Sequence, residues 1–313
     1  MARRNPTLIY VHGAGAQPPE ADWLRIHNQI LFADRPAPRT DLAYYADLIR
    51  QLESPEAESA IDPAPGLATP ARAAAEPRAA ARAAAEPPAA ASAELVIGDS
   101  IHHSVAAEGR THEAHVFLLR LAASMGPTDH RSRFALPGHI IPPAVRNFYR
   151  EVSGYLHGTP GMADEMRGRV RSAIERNDGP LVLVAHSLGS IIAFDVLSEP
   201  ALAGRGISFI TVGSPLGLGP AQDHLRAWRG SRPIEIPNGV DAWRNFQAAG
   251  DPVAVGTGLE DLRSDYAPSL RVHATEVQNE AEWHHAFSGY LDTPEVRDTI
   301  YARLSEQRRA ASG

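Results

Sequence analysis

One stretch of this chain leaves little freedom in how it can fold. Leu181 to Ala185 is an unbroken apolar run, and after the short link His186-Ser187-Leu188-Gly189 a nearly all-apolar segment continues through Leu197. The first run has the length and branching of a strand buried on both faces, and the second has the length of a buried helix. Ala185 and Gly189, small residues two positions either side of Ser187, let the backbone turn tightly between them. A strand and a helix that are apolar on all sides need covering layers, so further strands and helices must pack around this pair.

The remaining sequence supplies those layers. The run Thr7 to Gly13, "TLIYVHG", reads as a buried strand ending in a glycine-rich turn, and Trp23, Leu24, His27, Ile30 and Leu31 recur at helical spacing. "TDLAYYADL" from Thr40 predicts a strand entering a short helix, which makes a βαβ unit. Met162, Met166, Val170, Ala173 and Ile174 form a helical stripe ahead of the Leu181 strand. Later strands are expected in "ISFITVG" from Ile207, "DAWRNFQAAG" from Asp241 and "SLRVHATEV" from Ser269, with a closing helix from about Pro294. Strands alternating with helices predict an α/β fold with a mostly parallel central sheet and helices on both faces.

Two stretches stand apart from this rhythm. From about 53 to 94 the composition collapses to Ala, Pro, Glu and Arg, with "ARAAAEP" at 71 and again at 81. Prolines at 63, 65, 70, 77, 87 and 88 interrupt any alanine helix, and little bulky apolar surface is present to offset chain entropy. The stretch reads as a surface insertion within a single domain spanning 1–313. Residues 95–160 carry helical patterns near His115 to Met125 and Val145 to Leu156 around a Pro/Gly break. These helices would either cover a pocket or serve as ordinary scaffold.

Composition excludes several classes of partner and chemistry. The formal net charge of -7 offers no general attraction for nucleic acid or an anionic membrane. With no cysteine, disulfides, thiolate nucleophiles and Cys-rich zinc sites are ruled out together. The apolar run Leu8 to Val11 is too short for a signal-peptide core, and nowhere do eighteen apolar residues run consecutively. A soluble, cytoplasmic protein without a transmembrane segment is the expectation, its oligomeric state unreadable.

The link around Ser187 also has the form that activates a serine. A sharp strand-to-helix turn lifts the hydroxyl clear of the sheet and sets it above a helix N-terminus, the arrangement of a nucleophile elbow. The usual Gly-x-Ser-x-Gly pattern has Ala185 in its first place, which requires Ala185 to keep a negative φ. The simpler alternative is a serine that caps an ordinary helix.

"IYVHGAG", "VAHSLGS" and "VGSPLGL" together resemble the α/β-hydrolase superfamily, in particular its lipase- and esterase-like bacterial serine hydrolases. The resemblance implies that the backbone N–H groups of Ala14 and Leu188 face the oxyanion of a tetrahedral intermediate. It also implies the order nucleophile, acid, histidine. Asp251, in a Gly-Asp-Pro-Val turn just past a predicted strand, is similar to the family's acid, with Asp223 and Asp261 as rivals. The adjacent His284 and His285 follow the last predicted strand, and the spacing of His285 to Gly-Tyr-Leu better resembles the family's histidine. His273, in the strand before them, reads as structural. Only six residues precede "TLIYVHG", so the family's first antiparallel hairpin has no room and a sheet reduced at its N-terminal edge is expected.

Other chemistries fit poorly. His102, His103, His112 and His115 could suggest a metal, yet "HEAH" lacks the spacing of a zinc-binding His-Glu-x-x-His helix. "GAGAQPPE" lacks the Lys-Ser/Thr pair of a phosphate loop. The expectation is hydrolysis of a carboxylic ester in a small-molecule or acyl substrate, by a Ser187-His285-Asp251 triad with no cofactor and no metal. Peptidase, amidase or thioesterase chemistry on the same triad is the near alternative, and a non-catalytic binding protein of the same fold is the distant one.

Overall fold

The computed structural model describes residues 5–15, 17–33, 35–48, 151–152, 154–156, 161–217, 219–229, 234–251, 253–254, 272–281 and 284–310. The Ala/Pro-rich insertion, most of the 95–160 segment, the rival acid Asp261, and His102, His103, His112 and His115 lie outside them. In chain order the described elements begin with β1 (Thr7–Val11), α1 (Glu20–Phe32), β2 (Arg39–Ala43), α2 (Met162–Glu175) and β3 (Leu181–His186). They continue with α3 (Leu188–Leu197), β4 (Ile207–Val212), α4 (Gly219–Arg229), β5 (Val240–Ala248), β6 (Val272–Val277), α5 (Phe287–Asp292) and α6 (Pro294–Ala310).

The six strands form one sheet in the order β2-β1-β3-β4-β5-β6, and every neighbouring pair is parallel. Among the described residues no strand precedes β1. Side chains alternate across the sheet, as the two-residue period of a strand requires. Ile9, Val11, Leu183, Ala185, Phe209 and Trp243 face one layer, where they pack with α2, α3 and α4. Leu8, Tyr10, Val182, Val184, Ile210 and Phe246 face the other, where they meet α1, α5 and α6. Helices therefore cover both faces, and each large apolar side chain buried there stabilises the fold by about 1.5–3 kcal/mol.

The helical stripes land where their spacing places them. Met162, Met166, Val170, Ala173 and Ile174 are the buried side of α2, and every residue of α3 is buried. On α1, Trp23, His27 and Leu31 are buried, while Leu24 and Ile30 pack at the margin of the core. The sequence pattern does not foresee α4, because its Gly219-Pro220 opening reads as a turn. Proline within the first helical turn forfeits no hydrogen bond, so the helix starts there unhindered. Among the described residues no helix is long and apolar enough to cross a membrane.

The chain leaves β1 for β2 on one side and later returns to β3 on the other. The sheet order thus reverses between β1 and β3, and open α/β sheets place their ligand sites at the carboxyl ends of strands at such a switch point. Val11 lies opposite Ala185 in the register, so the turn at His12-Gly13 and the turn at Ser187 emerge side by side.

Candidate active site

Ser187 follows the last residue of β3 and sits at φ 51°, ψ -129°, one of two described non-glycine residues at positive φ. Such a backbone costs roughly 1–3 kcal/mol and persists only where the surroundings enforce it. The enforcement is visible in the packing around it. A Cβ on Gly13 would lie 3.0 Å from the Ser187 Cβ, and one on Gly189 would lie 2.2 Å from the His12 carbonyl oxygen. The turn after β1 is therefore in backbone contact with α3 at Gly189, which only glycine permits there, and a side chain at Gly13 would press on the His186 ring and the Ser187 Cβ. Ala185 remains in extended strand, outside the positive-φ residues.

Ser187 is the N-cap of α3, but its side chain makes no capping hydrogen bond. Its Oγ instead lies 2.9 Å from His285 Nε2. His285 Nδ1 is 3.0 and 2.9 Å from the two carboxylate oxygens of Asp251. A carboxylate only accepts, so Nδ1 carries the proton in the neutral ring and Nε2 is left to accept from the Ser187 hydroxyl. The three residues, 34 and 98 positions apart along the chain, are all buried.

Asp251 stands three residues beyond Ala248, the last residue of β5, after the turn at Ala249-Gly250. Its Oδ1 accepts the N–H groups of Val253 and Ala254 at 2.8 and 3.2 Å, and its Oδ2 accepts the Tyr290 hydroxyl at 2.5 Å. Burial alone would raise this carboxyl. The electrostatic pull of the His285 ring and the hydrogen bonds from His285, Tyr290 and Val253 outweigh burial and hold the carboxyl below its ordinary 3.8. Tyr290, on α5, receives the Ala248 N–H at 2.8 Å while donating to Asp251. Burial first, and then the neighbouring carboxylate, push its phenol far up, so it stays a donor.

His186, the residue before Ser187, holds the backbone of His285. Its ring stacks on Phe287 with centroids 5.0 Å apart, and its Nε2 lies 2.8 Å from the His285 carbonyl oxygen, to which it donates. Burial, reinforced by His285, pushes the His186 imidazole well below 6.5, so the ring is neutral. On the other side of the serine, Leu188 is the first residue of α3, where a backbone N–H has no acceptor within the helix. Ala14 is half-buried in the turn after β1 and packs against the core layer that holds α3.

Neither rival histidine reaches this cluster. His284 is exposed, with its Nδ1 2.8 Å from the Asn279 carbonyl oxygen, and His273 points outward from β6. The rival acid Asp223 pairs with Arg226 one turn along α4. Three residues around the site carried no signal in the sequence reading: Tyr45, Glu151 and the anchoring role of His186. Tyr290 lies in the Gly-Tyr-Leu segment, whose spacing points to His285 but does not reveal the contact of its hydroxyl with Asp251. No family model matches the chain, and no curated protein or solved structure does.

Proposed function

We propose that this chain is a serine hydrolase of the α/β-hydrolase type that cleaves a carboxylic ester through an acyl-enzyme intermediate. The observation that carries the reading is the continuous chain of hydrogen bonds from Ser187 Oγ through His285 to Asp251, on a serine held at positive φ. A serine hydroxyl is a weak nucleophile until a base takes its proton. Here His285 Nε2 accepts that proton as Ser187 Oγ bonds to the acyl carbon. Asp251 keeps Nδ1 protonated and stabilises the imidazolium that results.

The carbonyl oxygen becomes an oxyanion, which the N–H groups of Ala14 and Leu188 would receive. Collapse breaks the bond to the leaving alkoxide, which departs as the alcohol with the proton from His285. Water then attacks the acyl-enzyme by the same steps in reverse roles, and the acid is released. The chemistry uses no cofactor. Thioester and amide bonds would react along the same path, so the leaving group is read by assay.

A fluorophosphonate probe is expected to label the wild-type protein and not Ser187→Ala, and labelling that persists in the variant removes Ser187 from the mechanism. His285→Gln should lower ester turnover by roughly 10⁴-fold or more, whereas the exposed His284→Gln should leave it within a few-fold. A panel of p-nitrophenyl esters, acyl thioesters and peptide amides then ranks the bond cleaved. A protein that neither labels nor turns over any of them is the non-catalytic binding protein instead.

A further inference from the structure

The turn that would supply the Ala14 donor is held from both sides, and one of its holders comes from far along the chain. His12 Nδ1 lies 2.7 Å from the Gly13 carbonyl oxygen, while His12 Nε2 accepts the Tyr45 N–H at 3.1 Å. That pairing puts the His12 proton on Nδ1, donating to Gly13. The Tyr45 hydroxyl donates to the His12 carbonyl oxygen, and its ring stacks on the His12 ring with centroids 3.8 Å apart. Gly13 C=O and Ala14 N–H belong to one planar trans peptide and point in opposite directions. Fixing the carbonyl toward His12 therefore aims the Ala14 N–H away from it.

The next peptide is fixed from the opposite side. Gly15, at φ 100°, donates its N–H to Glu151 Oε2 at 2.6 Å, and Glu151 is 2% exposed. A short hydrogen bond to a buried carboxylate is among the stronger single contacts a backbone N–H can make. Residues 151–152 and 154–156 are helical, so Tyr155, four residues on, lies on the same face as Glu151. The Tyr155 hydroxyl donates to Asp195 Oδ2 at 2.5 Å, and Asp195 is a fully buried residue of α3. His224 Nε2 lies 2.7 Å from the same oxygen, which fixes that end further. Glu151 thus grips the turn after β1, and Tyr155 grips the helix behind Ser187.

We infer that Glu151 is a positioning residue for the oxyanion turn, and this rests on the serine hydrolase reading above. It withdraws the Gly15 N–H from the reaction and fixes the Ala14–Gly15 peptide. With the Gly13–Ala14 peptide pinned by His12 and the Gly15 N–H taken by Glu151, Ala14 supplies the N–H that faces the developing oxyanion among the described residues of this turn. The Tyr155–Asp195 contact ties the neighbourhood of Glu151 to α3, the helix that starts after Ser187.

The test separates position from charge and from folding. Glu151→Leu fills the space without an acceptor, and Glu151→Gln keeps an acceptor oxygen without the charge. Expected for Glu151→Leu is at least roughly 10-fold faster hydrogen–deuterium exchange at Gly15. With the best ester of the panel, kcat should fall by about 10- to 100-fold while KM stays within about 3-fold. Glu151→Gln should restore both exchange protection and kcat to within a few-fold of wild type. If Glu151→Leu does not fold, Glu151→Asp, which withdraws the carboxylate by one methylene, is read in the same way. Unchanged exchange and kcat without the acceptor, or equal losses in the Leu and Gln variants, overturn the inference. Failure of the wild-type protein to label with fluorophosphonate overturns the hydrolase reading instead, and the exchange data at Gly15 still report whether Glu151 holds the turn.

Discussion

Acid should destabilise this protein before its carboxylates are neutralised, because two buried histidines are folded in as neutral rings. His12 and His27 are 1% and 2% exposed. His27 lies flat on Trp23, with centroids 3.6 Å apart and planes 14° from parallel, and its Nδ1 reaches the Trp23 carbonyl oxygen at 2.8 Å. Burial pushes both imidazoles from 6.5 down to about 4, against the smaller upward pull of their backbone hydrogen bonds. Above pH 6.5 the rings are neutral in both folded and unfolded chains, and they contribute no pH dependence.

Below 6.5 the unfolded chain takes up protons that the folded chain refuses, so stability falls until the pH reaches about 4. At pH 5 that difference is worth about 2 kcal/mol for each ring, or about 4 kcal/mol for the pair. Total stabilities of domains are roughly 5–15 kcal/mol, so the loss is a large share. His186, lowered for the same reason, acts in the same direction. The Asp251 carboxyl lies below 3.8, and its contribution is lost only at still lower pH. Urea unfolding at pH 7.5 and pH 5 measures the difference, and His27→Phe should remove about half of the pair's share. A midpoint that is unchanged or higher at pH 5, or a His27→Phe variant with the full wild-type pH dependence, would refute the argument.

Two further substitutions probe the packing of the site. Gly189→Ala would place a Cβ 2.2 Å from the His12 carbonyl oxygen and 2.9 Å from that of Val11, both backbone atoms. A loss of more than about 4 kcal/mol in urea unfolding is expected, whereas Gly168→Ala, with open space around it on α2, should be neutral or gain up to about 1 kcal/mol. Tyr290→Phe removes a charged hydrogen bond to Asp251 and strips the Ala248 N–H of its acceptor, so a loss of about 3 kcal/mol is expected, with ester turnover reduced but not abolished. A loss below about 1 kcal/mol would show that this hydroxyl does not bridge the two groups.

Much of the layered architecture was legible because its signals are local. The continuous apolar run of β3, the all-apolar α3 and the stripe on α2 each state their burial within a dozen residues. The helix α4 was missed because Gly219-Pro220 carries a turn signal that its later residues override. Ser187, Asp251 and His285 could be named from a resemblance and from chain order, and His285 preferred over His284 by its spacing to Gly-Tyr-Leu, but the contacts that separate the two histidines needed the fold. Adjacent residues leave a turn in different directions, and only one of them is aimed by the Asn279 and Ala286 region toward Asp251.

By itself, the sequence determined where most of the strands and helices lie, that both faces of the sheet are covered, and that a sharp turn carries Ser187. Periodicity and turn chemistry act over a few residues, so one segment suffices to reveal them. Only the tertiary structure decided that His186 anchors the His285 backbone, that Tyr290 holds Asp251, and that Glu151 holds Gly15. Those pairs are separated by 99, 39 and 136 residues. No local pattern encodes such contacts, because they exist only once the parallel sheet has brought the ends of its strands to one edge.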